Sequence, residues 1–197
     1  MNRSLSIHTP HGALHGRLDM PEQPLGLILL ARSHHAAVDA VIAANFVARD
    51  FAVLTMELLT SQEAQFADAT QNVPRLTQRL LDLLDLIHQD GDMQDLPLAI
   101  FATGDSCPAA IRVAAQRDTQ VQALACHGGL IDRAGLQALK LLVAPLLAVF
   151  DADDDIEKTA FQRAASHLNC EHQTHSLEIG EDPVIPVSAW FSAHFGR

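Results

Sequence analysis

The chain has 197 residues, 48% of them hydrophobic, and a formal net charge of -11 with histidine neutral. That length closes one sizeable core and leaves too little for a second, so a single domain over residues 1–197 is expected. The acidic balance repels phosphate backbones and anionic lipid, which argues against nucleic acid and membrane surfaces as partners. No apolar run approaches the roughly 20 uninterrupted residues of a membrane span: residues 25–31 are too few, and Lys140 and Pro145 interrupt residues 139–150. The first ten residues lack the apolar core of a secretory signal, so the cytoplasm is the expected compartment. Cys107, Cys126 and Cys170 show no C-x-x-C spacing and read as free thiols with no zinc site. His8, His11 and His15 fall in a hairpin where their spacing does not line them up on one face, and they read as solvent-exposed side chains. No metal and no cofactor is expected.

Residues 5–8 and 13–18 alternate in polarity around Thr9-Pro10-His11-Gly12, the pattern of an antiparallel pair. Residues 25–31 form a continuous apolar run, the signature of a strand covered on both faces. Residues 36–49 read as a helix that packs Val38, Ile42 and Phe46 on the sheet, and residues 51–58 as the next strand. From Asn72 and Pro74, Val73, Leu76, Leu80, Leu83, Leu84 and Ile87 make one apolar stripe that stops at Asp90-Gly91. Strands then follow over residues 96–103, 121–126 and 144–150. Helices fall at 107–116 and 155–168, a last strand at about 173–179 and a last helix at 187–195. Strand and helix thus alternate behind an N-terminal hairpin, and right-handed crossovers turn such a series into a three-layer α/β fold with a mostly parallel sheet.

Ligands of open parallel sheets bind at the carboxyl ends of the strands. Here those ends offer Ser33, His34 and His35, then Glu57, then Gly104-Asp105-Ser106-Cys107-Pro108, then His127-Gly128-Gly129, then Asp151 and residues 153–155. Gly104 permits a sharp turn from strand to helix, and Pro108 fits the first helical turn, whose amide would be unpaired anyway. Ser106 then stands at the positive end of a helix, with the Cys107 N–H aimed where an oxyanion would form.

Residues 104–108 resemble the G-x-S-x-G nucleophile elbow of the α/β-hydrolase fold, departing at the last position. Over most of the chain the order of motifs is similar to small dienelactone-hydrolase-like proteins: Leu14-His-Gly-Arg-Leu-Asp-Met-Pro21, Met56-Glu-Leu-Leu-Thr60 and Val149-Phe-Asp-Ala-Asp-Asp154 resemble their second strand, fourth-strand end and acid-bearing strand. The resemblance implies Ser106 as nucleophile and Asp153, ahead of Asp151, as the acid orienting a histidine. The family's histidine follows the last strand, but here Glu181-Asp182-Pro183 stands there. His127 is therefore the first candidate base, then His34 or His35, then His175. Arg32-Ser-His-His-Ala-Ala37 carries no glycine where the family's oxyanion loop is glycine-rich.

Two functions stay open. One is a cofactor-free serine hydrolase that cleaves an ester, lactone or thioester through an acyl-enzyme on Ser106, with Cys107 and residues 33–35 serving the oxyanion. The other is a degenerate relative that keeps the fold and binds a small molecule or a partner, as function belongs to sites and not to folds. Ser106 would then be a helix cap, and Asp151 and residues 153–155 first-turn acids. Cys107 is an alternative nucleophile at a helix N-terminus, and Glu57 is either a functional or a solvated acid. A small-molecule ligand fits both readings, and a homo-oligomer is compatible with either.

Overall fold

A computed structural model describes residues 1–10, 12–32 and 36–196. His11, Ser33, His34 and His35 lie outside the described residues. Eight strands form one sheet: β1 (Asn2–Thr9), β2 (Gly12–Asp19), β3 (Leu27–Ala31), β4 (Ala52–Met56), β5 (Leu98–Thr103), β6 (Val121–His127), β7 (Leu146–Phe150) and β8 (His172–Ser176). Their order is β1-β2-β4-β3-β5-β6-β7-β8. β1 pairs antiparallel with β2, and β2 with β4; every later pairing is parallel. This is the hairpin-led, mostly parallel α/β sheet that the alternation of elements predicts.

The helices are α1 (Ala36–Val47), α2 (Val73–Gln89), α3 (Cys107–Gln116), α4 (Leu136–Leu141), α5 (Asp155–Ala165) and α6 (Val184–His194). The apolar runs explain the layering, because successive residues of a strand point to opposite faces. In β3, Leu27, Leu29 and Ala31 enter the core shared with α2, α3, α4 and α5, while Ile28 and Leu30 enter the core shared with α1 and α6. Covered on both sides, such a strand has no room for a polar residue. Phe46 of α1 meets Phe51 and Phe101 edge-on, centroids 6.2 and 5.7 Å apart, and so fastens that helix to the sheet.

Four expectations need correction. Val38 was placed against the sheet with Ile42 and Phe46, but it is 47% exposed while the other two are buried; a helix apolar on all sides hides which stripe faces inward. β8 stops at Ser176, short of residue 179, and Ile179 is wholly exposed. The six-residue α4 has no counterpart in the sequence reading. Finally, Ser6 pairs with His15 and His8 with Ala13, which puts His8 and His15 on one face as diagonal neighbours. Among the described residues no helix is long and apolar enough to cross a membrane.

Candidate functional site

β5 runs through Thr103, and the chain reverses at the next residue. Gly104 has φ +54° and is exposed, and a Cβ built on it would meet no described residue within 4 Å. A left-handed backbone at this place suits glycine, which has no Cβ to strain. Residues Gly104–Ser106 form one tight turn leading straight into α3.

Ser106 follows the turn and points inward. It is 0% exposed. Its Oγ lies 2.5 Å from the carbonyl oxygen of Ala31 and 2.8 Å from that of Thr103, donating its single proton between them, and accepts the Thr103 N–H at 3.3 Å. The hydroxyl thus ties the start of α3 to the ends of β3 and β5. A nucleophile on the rim is corrected to a buried strap, because the side chain two positions past the turn falls back onto the sheet. Cys107 is no substitute: it too is 0% exposed, and burial, with the Cys126 thiol beside it, pushes its pKa well up, so the nucleophilic thiolate is disfavoured.

An imidazole that the structure does describe stands at the end of a neighbouring strand. His127, last in β6, pairs in register with Thr103. Its Nε2 faces Asp151 Oδ1 at 3.2 Å, and Asp154 Oδ2 accepts the Asp151 N–H at 2.7 Å. The acid expected to orient His127 was Asp153; the one that does so is Asp151, and Asp153 is solvent-exposed. His127, the first candidate base, therefore has an acid partner, and the Ser106 proton is committed to carbonyls. His175, the last candidate, sits within β8 and faces Glu181 at 2.8 Å. The Glu178 N–H, and then His175, hold the Glu181 carboxyl below its ordinary value. Gly129 packs so tightly on the turn that a Cβ there would lie 2.3 Å from Gly104 O and 3.0 Å from Cys107 Sγ.

No protein-family model matches the chain. Dienelactone hydrolase from Anabaena variabilis superposes with a TM-score of 0.84 over 99% of this chain and 96% of its own, at 24% identity. The chain has the α/β-hydrolase fold. A lipase/esterase from Lactobacillus plantarum gives a TM-score of 0.69 over 96% of this chain and 95% of its own, at 13% identity. Two Mycobacterium tuberculosis proteins, from strains CDC 1551 / Oshkosh and ATCC 25618 / H37Rv, bear the name phosphoribosyl transferase. They are 29% identical to this chain over 153 residues, 76% of its length but only 34% of theirs. The chain thus spans about a third of the length of these curated relatives.

In the α/β-hydrolase elbow the nucleophile occupies the sharp, strained turn at the strand end, with small residues two places before and after it. The structure puts that frame at Ala102-Thr103-Gly104-Asp105-Ser106, two residues earlier than the sequence pattern suggests. Gly104 holds the strained place, and Ser106 one of the two small ones. The signal for this frame was already present: β5 needs Thr103 as its last residue, so the residue after it has to make the turn.

Glu57, directly after β4, is exposed, and its N–H donates to His15 O at 2.9 Å. It stands at one end of a feature the sequence did not reveal, a cavity of about 690 Å³ between α1 and strands β2 and β4. Ala43, Ala44, Val47 and Met56 supply apolar wall, while Arg32, Arg17 and Glu57 contribute polar groups. Arg32 is paired with Asp39 at 2.9 Å and Arg17 with Asp19 at 2.6 Å.

Proposed function

We propose that this chain is a non-acylating protein of the α/β-hydrolase fold, a cytoplasmic module that binds a small, mostly apolar molecule with one polar end in the groove beside α1. One observation carries the reading: the strained turn after β5 bears a glycine, with no described residue within 4 Å of where a side chain would begin. An acyl-enzyme needs an oxygen or sulfur at that point. The buried Ser106 and Cys107 do not supply one, and residues 177–183, where the family's histidine would stand, contain no imidazole. The groove has the composition of a ligand site, apolar walls with a few polar groups to fix orientation. The activity named for the mycobacterial relatives is not transferred, because about two thirds of those proteins has no counterpart here.

Two measurements test this. Release of nitrophenol from a short-chain nitrophenyl ester is expected to proceed at the buffer rate and to be the same for wild type and Ser106→Ala. In a thermal-shift panel of small apolar molecules bearing a single polar group, at least one is expected to raise the Tm of wild type but not of Ala44→Trp, which fills the groove. Turnover above buffer that vanishes in Ser106→Ala overturns the non-acylating reading. Ligands that shift both proteins equally overturn the groove assignment.

A further inference from the structure

We propose that His127, Asp151 and Asp154 form a binding site for a first-row divalent transition metal ion such as Zn²⁺ or Co²⁺. The three side chains come from two pieces of backbone at the sheet's edge: His127 ends β6, while Asp151 and Asp154 share the loop from β7 to α5, Asp151 directly after the strand and Asp154 at the helix N-cap. The Gly128 N–H, donating to Val149 O at 2.9 Å, fastens the first of these to β7. One ligand atom from each residue lies within 4.8 Å of the other two. Zinc bonds of about 2.0–2.2 Å set tetrahedrally place neighbouring ligand atoms roughly 3.3–3.6 Å apart. The 3.2 Å between His127 Nε2 and Asp151 Oδ1 already has nearly that spacing, with Asp154 within 4.8 Å of both.

The surroundings support a cation. The Asp151 N–H holds Asp154 Oδ2 at 2.7 Å, an outer contact of the kind that orients a ligating carboxylate, and a carboxylate accepting one hydrogen bond keeps lone pairs for a metal. The ammonium of Lys158, one turn into α5, lies 3.1 Å from Ala152 O and 3.9 Å from Asp155. Its carboxylate partner is Asp155, not one of the three proposed ligands. An imidazole with two carboxylates suits zinc, cobalt or nickel better than magnesium or calcium, which favour oxygen alone. Three protein ligands leave a coordination position for water or an anion. Because His127 pairs with Thr103, that ion would sit one strand away from the empty turn at Gly104, at a place distinct from the groove beside α1.

The test is calorimetric titration of the metal-free, untagged full chain with Zn²⁺ and with Mg²⁺, with the visible absorption of added Co²⁺ as a signature of the ligands. One Zn²⁺ per chain of micromolar affinity near neutral pH is expected, uncontested by millimolar Mg²⁺. Affinity should fall at least about 10-fold, the loss typical of disturbing even an outer contact, in both His127→Ala and Asp154→Asn, and stay unchanged in Asp155→Asn. The Co²⁺ band should be lost with His127. Circular dichroism melts check that each variant is folded, and Asp154→Asn alone decides the matter if His127→Ala is not. The chain has 11 histidines, so Zn²⁺ affinity that survives both variants places the metal elsewhere and overturns the proposal. So does binding no tighter than millimolar.

Discussion

A glycine and a serine two residues apart have opposite duties at the end of β5. Gly104 takes the strained backbone and leaves space open above it, whereas Ser106 fills space completely and binds two carbonyls. Removing that hydroxyl in Ser106→Ala should lower stability by about 1–3 kcal/mol, the cost of leaving buried acceptors unpaired, as read from urea midpoints. Gly104→Ala should cost about 1–2 kcal/mol from its backbone alone, since its Cβ would touch no described residue. Gly129→Ala should cost clearly more, because its Cβ would press on Gly104 O at 2.3 Å; equal losses in the two glycine variants would contradict this packing. At this scale the sequence was half legible. That β5 ends at Thr103 and a turn lies at Gly104 follows from the residues, but the G-x-S-x-G pattern puts the strained place at Ser106, whereas the turn puts it at Gly104.

Elements with strong local signals stand where the residues place them. Asn72 accepts the Arg75 N–H at 3.1 Å as the cap of α2, and that helix buries the stripe from Val73 to Ile87 that its spacing announces. α3 spans residues 107–116 as expected. The end of β8 was misread because Leu177 and Ile179 continue an apolar alternation that the structure does not use: Leu177 folds into the core and Ile179 into solvent. Nothing local marks the partnership between the 60–63 turn and α2, in which Glu63 and Arg79 are 16 residues apart. Glu63, buried, takes the Arg79 guanidinium at 2.9 Å and the Thr60 N–H at 2.9 Å, with Arg75 at 3.8 Å. Burial pushes the Glu63 carboxyl up, but the Thr60 N–H and the two guanidinium groups outweigh it and hold the pKa below its ordinary value.

Arg79→Ala, which strips that carboxylate of its buried partner, should cost about 3 kcal/mol. The double change Glu63→Gln, Arg79→Met should cost less. The sign of the pH effect follows from a folded-state pKa below the unfolded one. The contribution is whole above the ordinary carboxylate value of about 4.3 and is lost as pH falls through the depressed value. Urea midpoints of wild type and Glu63→Gln should therefore differ most at neutral pH and converge in acid; a gap that widens on acidification would contradict the pairing.

Across the whole molecule, topology was the most legible feature and the site the least. Continuous apolar strands alternating with helices force a covered parallel sheet, and from this follow β3 and β6 as the two neighbours of β5 and the gathering of strand ends on one rim. The rim does carry His127, Asp151 and Asp154 side by side, as the residues after β6 and β7 suggest. The groove beside α1 could not be read, since it arises from how β2, lying antiparallel beyond β4, passes that helix. With acids and an imidazole on the rim and a glycine at the turn after β5, the proposed function is ligand binding in place of acyl transfer. The most direct test is intact-mass analysis of the folded wild-type protein after exposure to excess fluorophosphonate, with Ser106→Ala alongside. Both should keep their unmodified mass, and a single adduct mapping to Ser106 in wild type, absent from the variant, would contradict the account.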